Sequence, residues 1–178
     1  LTAGIHPFHF RFHLAPQEAF TAPEAALIYS DTGLTGMSHR FHRAIRGNLC
    51  RGPWKTQRRP LLINNWEATE FDFDADKIVS IAKQAALVGV EMMVMDDGWF
   101  GHRNNDNGGL GDWYVNEKKL PGGLRPLADR LRDLGMKFGI WVEPESVSED
   151  SDLYQQHPDW AFCIPARKHT RGRSQLVL

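Results

Sequence analysis

Two adjacent carboxylates, Asp96 and Asp97, close the apolar run Val90-Glu91-Met92-Met93-Val94-Met95 and are followed at once by Gly98, Trp99 and Phe100. Two acceptors beside indole and phenyl surface suit a polyhydroxylated ring, which offers hydroxyl donors at its edge and an apolar face to stack on. A turn or a cap explains one of these carboxylates but strains to explain both, because neighbouring strand residues point to opposite faces. A Mg²⁺ site is the competing functional reading. It would call for further carboxylates and a phosphate cradle, and the chain has no Walker-type glycine loop.

Two other short runs end in the same way. Leu61-Leu62-Ile63 leads to Asn64, Asn65 and Trp66, and the run from Lys137 to Val142 leads through Trp141 to Glu143 and Glu145. The two glutamates flank Pro144 on one side of an extended segment, about 7 Å apart along it. They read either as a carboxyl pair of the kind that cleaves a glycosidic bond or as braces for the loop. Trp66 and Trp141 read either as stacking platforms or as core.

The elements that position these tips follow from periodicity. Short strands are expected at Leu61–Asn64, Val90–Met95 and Lys137–Val142. Between them, Asp74 and Asp76 open a helix whose apolar face is Ile78, Ile81, Ala82, Ala85 and Ala86, and Gly89 stops it. A second helix carries Leu124, Leu127, Leu131 and Leu134 and stops at Gly135. Repeated strand–helix–strand units imply right-handed crossovers and a parallel α/β sheet. Ligand chemistry collects at the carboxyl-terminal edge of such sheets. Three strands cannot close a barrel but could open one.

Upstream, Phe8-His9-Phe10-Arg11-Phe12-His13-Leu14 alternates apolar and polar, the pattern of a half-buried strand ended by Pro16. Ala25–Ser30 is a second candidate strand, and Met37, Phe41 and Ile45 mark a helix after the turn at residues 31–36. His6, His9 and His13 read as solvated strand residues rather than metal ligands, since Arg11 shares the face of His9 and His13 and three converging donors are required. Arg40, Arg43, Arg46, Arg51, Lys55, Arg58 and Arg59 form the one basic concentration, read as a solvated helix and linker rather than a nucleic-acid surface. A domain border is expected there, dividing residues 1–59 from 60–178.

At 178 residues and 42% hydrophobic, the chain can bury one medium core. A net charge of −1 gives no global attraction to nucleic acid or an anionic membrane. No apolar run approaches the roughly 18 residues of a membrane span. Cys50 and Cys163 form no CxxC pair, compatible with a reducing compartment. The start at Leu1 and the strand-like Gln175-Leu176-Val177-Leu178 suggest a piece of a longer protein.

With these residues assembled, the chain resembles the family 36 α-galactosidases of the bacterial raffinose and melibiose type. The matching stretches are Asn64-Asn65-Trp66-Glu67-Ala68-Thr69, Asp96 to Arg103, Gly111-Asp112-Trp113 and Gly139-Ile140-Trp141-Val142-Glu143-Pro144-Glu145. They continue through Ser148 to Tyr154, His157-Pro158-Asp159-Trp160 and Gly172 to Leu178. The resemblance implies that residues before about Pro60 are the tail of a β-supersandwich domain and that the rest opens a (β/α)₈ TIM barrel. It implies that Asp96 and Asp97 accept hydrogen bonds from galactose hydroxyls, that Trp66 and Trp141 line the subsite, and that Arg173 helps hold the sugar. Asn65, Trp99, Glu143 and Glu145 would support the site.

The family's nucleophile, in a Lys-Trp-Asp motif, and its acid/base aspartate lie on later strands and have no counterpart up to Leu178. The chain is therefore expected to carry no catalytic residue and to be inactive alone. Val142 and Ser146 depart from the family pattern, where Phe and Met are usual. The implied activity is retaining hydrolysis of α-galactosides such as melibiose and raffinose, without metal or nucleotide cofactor, by a cytoplasmic homo-oligomer with no nucleic-acid or membrane partner. Galactosyl transfer of the raffinose or stachyose synthase type and non-catalytic galactoside binding are the alternatives.

Overall fold

Three short parallel strands carry the site: β1 (Leu62–Asn64), β2 (Met92–Met95) and β3 (Lys137–Ile140), in the spatial order β1-β2-β3. Leu62 lies opposite Met92 and Asn64 opposite Val94, while Met92 lies opposite Lys137 and Met95 opposite Ile140. The parallel α/β arrangement expected from the repeated pattern is therefore present, with strands shorter than the apolar runs. Val90 is spent on closing the preceding helix, its N–H donating to Ala85 O at 3.1 Å, and at the far end the ladder runs out where Trp141 N–H donates at 2.9 Å to the carbonyl of Met95, the last residue of β2.

The computed structural model describes every residue except 1, 2, 9, 165, 168, 170 and 173. The chain divides into two compact units, Leu1–Arg58 and Arg59–Leu178. In the first, α1 (Gly33–Asn48) carries the expected Met37, Phe41 and Ile45 stripe, but none of its residues is buried. The strands expected at residues 8–14 and 25–30 are absent among the described residues. Alternation specifies two faces but supplies no partner for the backbone, and a strand needs a paired ladder. Phe8, Phe12, Leu27 and Tyr29 are accordingly exposed, and Phe12 meets the ring of Phe20 at 4.5 Å between centroids. Within the basic stretch, Arg40 pairs with Asp31 at 2.9 Å, and Arg51 and Lys55 donate to the carbonyls of Asn48 and Gly47 at the end of α1.

In the second unit a one-turn α2 (Trp66–Thr69) follows β1, and α3 (Ala75–Leu87) follows that. Asp74 caps α3 by accepting from Lys77 N–H at 2.8 Å, the role its position suggested. After β2, residues 101–123 lead to α4 (Leu124–Asp133), where Pro126 falls in the first turn and displaces no helical hydrogen bond. Ile78, Val79, Ala82 and Ala85 of α3 and Leu127 and Leu131 of α4 pack with Met93 and Met95 into one core. Burying each of these larger aliphatic side chains contributes roughly 1.5–3 kcal/mol.

A second, antiparallel sheet comprises β4 (Ser146–Ser148), β5 (Arg171–Gly172) and β6 (Gln175–Val177), in the order β4-β6-β5. The short α5 (Asp152–Gln156) lies between β4 and β5 in the chain. Val147, Ala161 and Leu176 form this sheet's own small core. No helix among the described residues is long and apolar enough to cross a membrane.

Candidate functional site

The parallel register places the ends of β1, β2 and β3 side by side, so the residues following them share one edge. Asn65, fully buried, joins the first two tips. Its Oδ1 accepts the backbone N–H of Asp96 at 2.8 Å, and its Nδ2 donates to Thr69 Oγ1 at 2.7 Å. Asn64 Nδ2 donates to Asp96 Oδ2, and Asn64 Oδ1 accepts from Trp66 N–H at 2.7 Å. Trp99 joins the second and third tips by donating its indole N–H to the carbonyl of Trp141 at 2.9 Å, while Trp141 N–H donates to Met95 O at 2.9 Å.

Asp96 and Asp97 turn to different partners, as neighbours leaving a strand must. Asp96 is half-buried, with Oδ1 accepting the N–H of Asp97 at 2.7 Å. Asp97 is 5% exposed and held by Arg103, itself 1% exposed. Arg103 Nε lies 3.1 Å from both Asp97 oxygens and Nη2 lies 2.8 Å from Oδ2. Gly98 makes the turn that separates the two carboxylates from the aromatic residues. Its φ of +96° disfavours any other residue, and a Cβ there would stand 2.7 Å from Phe71 Cδ1.

A second cation stands behind the turn. Lys119 Nζ donates to the carbonyls of Phe71 at 2.8 Å and Gly98 at 2.9 Å, and lies 4.7 Å from the centre of the Phe73 ring. Burial pushes its ammonium pKa down, while the charges of Asp97 and Asp72 pull it back up.

Aromatic rings wall the edge. Trp66 is half-buried and meets Phe71 edge-on at 5.0 Å. Trp141, also half-buried, lies parallel to Phe100 at 6.4 Å and crosses Trp113 at 6.3 Å. Trp99 is 3% exposed, so its indole belongs to the core and its role at the edge is the hydrogen bond to Trp141. Glu143 is half-buried and Glu145 exposed, and their carbonyls accept N–H groups from Ser146 at 3.4 Å and Leu178 at 2.9 Å. Arg173 and His9 lie outside the described residues. No group of three or more His, Cys, Asp or Glu is arranged to hold a metal among the described residues.

Arg103 and Lys119 escaped the reading of single residues. A lone arginine in an Asn- and Gly-rich loop carries no periodicity, and buried and solvated arginines share one letter. The sole signal was that Arg103 falls inside the stretch Asp96–Arg103.

The family model described as Melibiase matches residues 19–178. The chain is 53% identical over 178 residues to α-galactosidase AgaA of Geobacillus stearothermophilus, covering 100% of this chain and 24% of that protein. It is 48% identical over 178 residues to α-galactosidase Mel36A of Lactobacillus acidophilus, again covering 100% of this chain and 24% of the relative. The crystal structure of Geobacillus AgaA matches with a TM-score of 0.91 at 54% identity, over 98% of this chain and 24% of that one. An AgaA variant solved in complex with raffinose matches at 0.92 and 53%, with the same coverage. The chain thus spans about a quarter of the length of these relatives, and its α/β fold is that of the matching part of family 36 α-galactosidase structures. Across nearly its whole length, the chain belongs to the melibiase family, the family 36 α-galactosidases.

Proposed function

We propose that the chain forms the galactose-binding strand tips of a retaining α-galactosidase acting on oligosaccharides such as melibiose and raffinose. The observation that carries this reading is the convergence of Asp96, Asp97, Trp66 and Trp141 on one carboxyl-terminal edge, joined there by Asn65 and Trp99. In this reading the two aspartates accept galactose hydroxyls and the half-buried indoles cover an apolar face of the sugar, with Arg173 as a further polar contact. Glu143 and Glu145 brace the third tip rather than perform the chemistry. Residues 60–178 open a (β/α)₈ barrel, and residues 1–59 are the tail of a β-supersandwich domain.

The chemistry follows from where charge develops. Departure of the leaving group gives the ring oxocarbenium character, and an aspartate nucleophile beyond this chain attacks the anomeric carbon while a second carboxyl protonates the departing oxygen. Hydrogen bonds from ring hydroxyls to Asp96 and Asp97 accelerate the reaction only insofar as they tighten in that state. Unpaired Cys50 and Cys163 suit a cytoplasmic location.

The test is galactose affinity in the full-length enzyme. Replacing Asp96 or Asp97 by Asn removes a charged acceptor, so each is expected to weaken binding by about 10- to 150-fold. Unchanged dissociation constants in both folded variants would overturn the assignment.

A further inference from the structure

We propose that Arg103 is a positioning residue: it fixes the plane of the Asp97 carboxylate and thereby sets which sugar epimer the site accepts. This rests on the reading of Asp97 as a galactose ligand. The geometry is that of a fork. Nε approaches both carboxylate oxygens at 3.1 Å and Nη2 approaches Oδ2 at 2.8 Å, so rotation about the last bond of Asp97 breaks at least one contact. Oδ2 receives two N–H groups and Oδ1 one. A carboxylate has about four acceptor directions, so one direction at Oδ1 is left for a ligand hydroxyl.

Arg103 is itself held. Its Nη1 donates to Gly108 O at 2.9 Å, and the ring of Phe71 lies 5.7 Å from the guanidinium carbon. The loop that supplies it is fastened to the second sheet. Asp150 Oδ1 accepts from Gly109 N–H at 2.9 Å, and Leu110 exchanges two bonds with Ser148, at 3.1 Å to the hydroxyl and 2.9 Å from the backbone N–H. The orientation of Asp97 is therefore set from two directions, by β2 through its backbone and by the second sheet through Arg103.

A buried ion pair is weak evidence of stabilisation, because desolvation offsets most of the attraction. What the fork supplies is direction. Epimers differ in where one hydroxyl points, and a fixed acceptor plane rejects the wrong direction by leaving buried polar groups unpaired. Lysine in place of Arg103 keeps the charge but loses the plane.

The experiment measures kcat and KM on p-nitrophenyl α-galactoside, and dissociation constants for galactose and its C4 epimer glucose, in the full-length enzyme. The variants are Asp97→Asn, Arg103→Lys and the double variant. Arg103→Lys is expected to raise the galactose dissociation constant by about tenfold or more and to shrink the preference over glucose. The double variant should bind no more weakly than Asp97→Asn alone, because both changes remove the same interaction. If Arg103→Lys does not fold, Arg103→Gln carries the same comparison, because its single amide nitrogen cannot reproduce the two-nitrogen fork on both carboxylate oxygens. Lost binding in Asp97→Asn with preference intact in the Arg103 variant would overturn this inference and leave the site reading standing. Unchanged binding in Asp97→Asn would overturn the site reading itself.

Discussion

The side chain of Asn65 holds the backbone of Asp96: its Oδ1 accepts the Asp96 N–H at 2.8 Å from a fully buried position. Through that bond the first strand tip fixes where the second begins its turn. Asn65→Ala removes the acceptor and also leaves Thr69 Oγ1 without its 2.7 Å donor. The expected cost is about 1–3 kcal/mol of stability, the penalty for leaving buried polar groups unpaired. Chemical denaturation checks it, and galactose affinity should fall with it because Asp96 loses its anchor.

A Trp99→Phe variant tests the corresponding link to the third tip. The phenyl ring fills most of the indole's space but cannot donate to the Trp141 carbonyl, which the indole N–H now reaches at 2.9 Å. A loss of about 1–2 kcal/mol of unfolding free energy is expected, read as a lowered unfolding midpoint. Tryptophan fluorescence should also report a changed surrounding for Trp141. An unaltered midpoint would show that the bond does not hold the two strands together.

The strand tips were legible because the rules behind them are local. Asp74, Gly89 and Gly135 punctuate the helices, and each apolar run between them ends in polar or aromatic residues. The runs overstate the strands because the code for apolar residues does not mark where pairing stops; Val90 is apolar yet serves the end of α3. Phe8 to Leu14 misleads for the opposite reason, since alternation describes faces without naming a partner. Asn65 was legible as a polar tip, but its bond to Asp96 was not, because the two residues meet only through the pairing of β1 with β2. Arg103 and the second sheet depend on contacts between distant residues, such as Ser146 with Val177.

Acid should loosen the loop that carries Arg103. Burial works to raise the Asp150 carboxyl pKa, but the N–H of Gly109 and the ring of His102 outweigh it and hold the group below its usual value of 3.8. A lowered folded value means that the unfolded chain takes up the proton first. The stabilisation is thus complete above the ordinary carboxylate range and is lost as pH falls through the folded value. Asp150→Asn is expected to destabilise the protein at about pH 7 and to converge with the parent as pH falls below the folded value. A difference independent of pH would contradict this.

The most direct test is a crystal structure of the full-length enzyme with galactose bound. The account predicts carboxylate oxygens of Asp96 and Asp97 each about 2.5–3.0 Å from a ring hydroxyl, with the indole of Trp66 or Trp141 against the sugar. A galactose bound productively with neither aspartate in reach would contradict it.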